Sequence, residues 1–226
     1  LSYFSIDERG KPLSGERREI ELSLRPDTYQ RARQAGLRIN ERIALAPGRY
    51  QLRVGVRETG AGAIGTVFYD LQVPDFAREP LSMSGLLVTA GSSPLVPTLV
   101  ADKAIGLDML PGPATSRRTF AQGDVLAFYA EIYDNIPARQ THTIEIVARL
   151  IGDDGRAVFT SRETHDGAAL QRAGSSSTLS VRRQIPLNDV PPGRYLLRLE
   201  TTARGSAKDV KPIARETLVT VVPAGR

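Results

Sequence analysis

Apolar and polar side chains alternate along most of this chain. Tyr50, Leu52, Val54 and Val56 fall on one parity, and Gln51, Arg53, Gly55 and Arg57 on the other. Leu126, Phe128, Ala130 and Ile132 likewise oppose Tyr129, Glu131 and Tyr133, and Tyr195, Leu197 and Leu199 oppose Arg198 and Glu200. A period of two with one apolar face predicts half-buried strands of antiparallel sheets. Turn residues punctuate the pattern at Asp7 to Lys11 (DERGK) and at Asp153-Asp154-Gly155, predicting hairpins there. In the first half of the chain, TYQRARQAG breaks the alternation. With Pro26 near its start and Gly36 at its end, it predicts a short helical turn.

One phrase is written nearly twice: APGRYQLRV from Ala46 to Val54, and PPGRYLLRL from Pro191 to Leu199. Each copy ends a Pro-Gly loop and opens an alternating strand. The spacing Leu45-x-Pro-Gly-x-Tyr50, matched by Val190-Pro-Pro-Gly-x-Tyr195, fits a tyrosine corner, in which a Tyr near the start of the penultimate strand bonds back to upstream backbone. Tyr50 and Tyr195 are therefore predicted as structural residues. The repeat extends outward. REIELSL (18–24) aligns with HTIEIVARL (142–150), TYQRARQAG with GAALQRAG, LRINERIAL with LSVRRQIPL, and GTVFYDLQV with ARETLVTVV. Duplication predicts an all-β protein of two tandem immunoglobulin/fibronectin-like antiparallel β-sandwich domains.

The joint lies in VPDFAREPLSMSG, which is rich in breakers and lacks periodicity. It divides the chain into a domain at 1–77, a linker at 78–84 and a domain at 85–226. Phe76, Leu81 and Met83 give the linker apolar groups with which to dock. The first domain shows five or six strands, where a complete sandwich of this class has about seven. Either its opening strand precedes Leu1 or another segment supplies it. Leu1 opens inside a strand pattern without Met, so the chain is expected to be a piece of a longer polypeptide.

Composition narrows the partners. The chain has 226 residues, 41% hydrophobic and 24% charged, enough to bury a core. No apolar run approaches the ~20 residues of a membrane helix, so no membrane insertion is expected. The net charge is +5, but the basic residues are scattered in pairs such as Arg17-Arg18 and Arg182-Arg183, the mark of solvated strand faces rather than a nucleic-acid site. With no Cys, neither a disulfide nor a thiolate metal site can form.

Candidate chemistry is sparse. His142 opens a strand, and His165 sits beside Asp166 in ETHDGAA, but no G-x-S-x-G seats a nucleophile. Asp153, Asp154 and Asp166 are oxygen donors for calcium, yet they lack the D-x-D-x-D-G order, and GDDG reads as a bare turn. Asp134 ends a strand and caps a turn. TGAGAIG leads into a strand with no Lys following, so it is a loop rather than a phosphate cradle. No catalytic, cofactor or metal residue is assigned.

The runs APGRYQLRVGVRETGAGAIGTVFYDLQVPDF, LSMSGLLVTA and FAQGDVLAFYAEIYDN resemble the C-terminal β-sandwich region of acidobacterial von Willebrand factor type A domain-related proteins. The resemblance covers most of the chain, with YDLQVPDF and PLSMSG its most specific part. It implies an exported bacterial protein, extracytoplasmic in the periplasm, envelope or medium. The von Willebrand-type domain and its Asp-x-Ser-x-Ser metal motif are absent here, so no metal residue is carried over.

These readings favour a non-enzymatic spacer or protein-interaction module that presents loops or an edge strand to a protein partner or a neighbouring domain. Carbohydrate or cell-surface binding is the first alternative, with Tyr129 and Tyr133 as a small platform. An enzyme of unrecognised type is the second.

Overall fold

The computed structural model describes residues 1–224 apart from 8, 41, 61, 92–96, 101–109, 113, 138, 168–177 and 206–209. The described residues are almost all β, with one short helix, and the chain divides into two compact units. One unit comprises Leu1–Asp75 with Val96–Ala101; the other comprises Phe76–Leu95 with Asp102–Arg226.

In the first unit, β1 (Ser2–Asp7) and β2 (Pro12–Arg17) form a hairpin. Its turn is held by the Asp7 carboxylate, which accepts the Arg9 and Lys11 amides at 2.9 Å, while Gly10 takes a positive φ of 78°. The helix α1 (Pro26–Ala35) starts on Pro26 and ends at Gly36, whose φ of 86° suits glycine. Then come β3 (Arg38–Asn40), β4 (Gly48–Arg57) and β5 (Ile64–Val73). The four long strands make an antiparallel sheet in the order β2-β1-β4-β5. A strand from later in the chain, β8 (Thr98–Val100), pairs in parallel with β3.

The second unit packs two sheets face to face. β10 (Val125–Asp134) lies beside β13 (Thr178–Pro186), and its other edge is shared by β6 (Leu81–Met83) and β7 (Leu87–Ala90). The facing sheet runs β12 (Ala157–Asp166), β11 (Thr143–Gly152), β14 (Gly193–Arg204), β15 (Ile213–Val222) and β9 (Thr119–Ala121). Alternation supplies the core. Leu126, Phe128, Ala130 and Ile132 meet Ile144, Ile146, Ala148 and Leu150, with Leu197, Leu199, Val219 and Val221 completing one buried cluster. Strand residues of one parity from two sheets, interdigitating, are what make a sandwich stable.

Three expectations need correction. The segment 78–84 belongs to the second unit rather than to a linker: β6 within it pairs Leu81, Ser82 and Met83 with Asp134, Tyr133 and Ile132, and Leu81 and Met83, the side chains expected to dock, are buried in the second core. The physical reason is that these two apolar side chains find the open edge of β10. The division falls between Asp75 and Phe76. Residues 18–24 form no strand, because the hairpin ladder closes where Leu1 and Arg18 exchange backbone bonds and nothing among the described residues pairs beyond it. The counterpart of β11 in the first unit is therefore β1. Both pair with the Tyr-bearing strand on one side and with a hairpin partner on the other. LRINERIAL, expected as a full strand, contributes only β3.

Candidate interaction edge

The two long sheets correspond strand for strand. The order β2-β1-β4-β5 in the first unit repeats β12-β11-β14-β15 in the second. The difference is at the end. β15 carries β9 on its outer side through Thr220–Thr119, Val221–Phe120 and Val222–Ala121, whereas among the described residues β5 pairs with β4 alone. Among the described residues, the first unit's sheet thus stops one strand short.

The open edge is long and apolar. β5 holds ten residues in unbroken register with β4 from Gly48–Val73 to Arg57–Ile64. Ile64, Val67, Phe68 and Tyr69 are each 61–70% exposed. Val67 and Tyr69 share the face of Leu52 and Val54, while Phe68 lies on the opposite face, where the Arg53 guanidinium stands 5.3 Å from its ring centre. Gln51 bridges Arg53 and Asp70 on that same face. The Glu58 amide bonds to the Ala63 carbonyl at 2.9 Å, which fixes the phase of the ladder. Alternation then turns the N–H and C=O groups of Ile64, Thr66, Phe68, Asp70 and Gln72 outward, away from β4.

The structure places the two predicted tyrosines at matching corners. The Tyr50 hydroxyl donates to the Ala46 carbonyl, and the Tyr195 hydroxyl to the Pro191 carbonyl, both at 2.7 Å. Tyr195 is buried, whereas the Tyr50 bond is exposed. Burial, with the nearby charges of Asp154 and Asp153 adding to it, pushes the Tyr195 phenol up.

Tyr129 and Tyr133 do share a face, but they form no open platform. Both hydroxyls donate to the Glu131 carboxylate, at 2.8 and 2.5 Å. Tyr129 is only 5% exposed beneath Arg182, and Phe76 tilts against Tyr133 with ring centres 4.8 Å apart. Burial first, and Glu131 next, raise the Tyr133 phenol well above its usual range.

His165 and Asp166 lie at the end of β12 rather than in a loop, and successive strand residues point to opposite faces, so they do not act as a couple. Asp153 and Asp154 sit at the far end of the same ten-residue strand from Asp166, so the three carboxylates do not converge. Asp154 instead accepts the Arg156 amide in the turn. Among the described residues, no three His, Asp or Glu side chains form a metal-holding group.

Sequence reasoning missed a buried pair. His142 Nε2 lies 2.8 Å from Asp134 Oδ2, and Nδ1 lies 2.7 Å from the Gln140 carbonyl. Asp134 Oδ1 accepts the Ile136 amide, and both side chains are fully enclosed. Both ring nitrogens face oxygen atoms, an arrangement in which the imidazolium donates on both sides. Burial disfavours that charge. The Gln140 carbonyl, the Asp134 carboxylate and the charge of Asp166 outweigh it and hold the His142 pKa above its ordinary value. The pair fastens the β10–β11 connection. A signal for it existed: Asp134 continues the core parity of β10, and His142 that of β11.

No protein-family model matches the chain, and no curated protein matches it. Among solved structures, the chain is similar to the C-terminal domain of wzt, at 9% identity and a TM-score of 0.38 over 65% of this chain and 75% of that one. It is also similar to PorU from Porphyromonas gingivalis, at 15% identity and a TM-score of 0.30 over 80% of this chain and 13% of that one. A glycosyl hydrolase family 2 member from Bacteroides cellulosilyticus gives 8% identity and a TM-score of 0.30 over 77% and 28%. The chain thus spans a small part of the last two. No helix among the described residues is long and apolar enough to cross a membrane.

Proposed function

We propose that this chain is a non-enzymatic interaction module that holds a protein partner by strand addition at β5. The observation that carries the reading is the internal comparison: the second unit's sheet goes on from β15 to β9, and among the described residues the first unit's sheet ends at β5. Backbone groups on such an edge supply affinity, and the side chains that alternate across it supply selectivity. The extracytoplasmic setting implied by the sequence resemblance belongs to the same proposal.

Thr66→Pro tests it. The Thr66 amide points outward, so proline removes a donor from the free edge and leaves the β4–β5 ladder intact. Gly65 before it accepts the extended backbone that precedes proline. The wild-type chain is expected to retain a partner from an envelope fraction, and the Thr66→Pro chain to lose it. Equal retention by both chains refutes strand addition at β5.

A further inference from the structure

The edges of this protein are guarded unequally. β2 opens on Pro12, and its pairing with β1 shifts register between Ser5 and Ile6. β12 carries Arg162, Glu163, His165 and Asp166, and β13 carries Arg182 and Arg183. Proline, irregular register and charge are the usual devices that keep a sheet edge from pairing. β5 has none of the first two and a single charge, Asp70, in ten residues.

We propose that the occupant of this edge is a second copy of the same chain, with β5 pairing antiparallel to β5 about a two-fold axis at Phe68. This rests on the strand-addition reading and names its partner. Two four-stranded sheets then become one continuous sheet. The outward amide and carbonyl of Phe68 meet those of Phe68 in the second copy, and the same phase holds for Thr66 with Asp70 and for Ile64 with Gln72.

The side chains favour that register. On one face, Phe68 meets Phe68 of the second copy, each ring backed by its own Arg53. Asp70 falls opposite the Thr66 hydroxyl, which donates to it. On the other face, Val67 meets Tyr69, an aromatic with a β-branched residue, twice by symmetry. Every residue from Ile64 to Gln72 finds a partner within the strand. Moving the axis to Asp70 sets two carboxylates against each other, and moving it to Thr66 carries Asp70 past the start of β5. A closed two-fold contact of this kind needs one self-complementary patch.

The test uses the full chain. Sedimentation from low to high micromolar concentration is expected to show a mass rising towards twice the 24.6 kDa of one chain. Thr66→Pro is expected to stay at one chain's mass. Should that variant fail to fold, Phe68→Lys sets two ammonium groups face to face on the axis and is expected to do the same. Because the chain has no Cys, single cysteines report the register. Phe68→Cys is expected to give a disulfide-linked dimer on mild oxidation. Thr66→Cys and Asp70→Cys are expected to cross-link when mixed but not alone. A wild-type chain that stays monomeric, or a dimer indifferent to both edge variants, overturns the two-fold assembly. A monomeric wild type whose envelope partner is still lost with Thr66→Pro overturns the self-pairing alone and leaves strand addition standing.

Discussion

Replacing Asp134 with Asn isolates the charge in the buried pair. Asn keeps an acceptor for the Ile136 amide, which Asp134 Oδ1 now takes at 3.1 Å. It removes the carboxylate that holds His142 Nε2. A hydrogen bond between charged partners is worth about 1.5–3 kcal/mol, so Asp134→Asn is expected to cost the second unit about that much where His142 is protonated. The folded-state pKa of His142 is raised above its usual 6.5. The stabilisation is therefore fully present below pH 6.5 and is lost as the pH climbs through the raised value. Denaturant unfolding followed across that range should show the wild type losing stability towards alkaline pH. The Asn variant should start lower and stay flat, because a neutral imidazole can donate to Gln140 from Nδ1 and accept from Asn through Nε2. Proton NMR of the two histidines, assigned with His165→Gln, reads the His142 titration directly. A His142 that titrates at or below 6.5, or a variant whose pH profile parallels the wild type, would refute the reasoning.

Gly167 tests the same pocket from outside. A Cβ there would lie far inside contact distance of His142 Nε2, so Gly167→Ala is expected to push the ring off Asp134, cost about 2 kcal/mol in unfolding and return the His142 pKa towards its ordinary value. The two corners make an internal control. Tyr195→Phe should cost about 1 kcal/mol through its buried hydroxyl. Tyr50→Phe should cost less, because the Ala46 carbonyl it leaves behind is open to water; both are read by urea midpoints. Equal costs would show that burial does not set the worth of this bond.

Much of the architecture was legible because periodicity is local. The parity of β10, β11 and β14 picked out the residues that form the second core, and turn residues marked the β1–β2 and β11–β12 hairpins. What stayed hidden depended on distant chain. β6 is three residues between Pro80 and Ser84, too short for any period, and its burial exists only because β10 lies beside it. β8 is equally short, and it joins a unit whose main body, Leu1–Asp75, ends more than twenty positions before it. Asp134 and His142 stand on core parities of facing sheets, but the loop that brings them together carries no pattern.

The repeated phrase also shows what alternation leaves open. Leu197 and Leu199 of the second copy are wholly buried, whereas Leu52 and Val54 of the first are only partly so, although the two strands hold matching places in matching sheets. Period two specifies which face is apolar; it does not specify what covers it. β14 meets a second sheet built from β10, β13, β6 and β7, while the first unit accompanies its long sheet with only the two-stranded β3–β8 pair and one helix among the described residues. Matched through the two tyrosine corners, Leu71 and Val73 of β5 stand where β15 has Val219 and Val221, whereas Val67, Phe68 and Tyr69 stand where β15 has Arg215, Glu216 and Thr217. An edge that keeps a strand's apolar pattern, long register and outward amides, and that lacks proline, bulge and basic guards, retains what strand pairing requires.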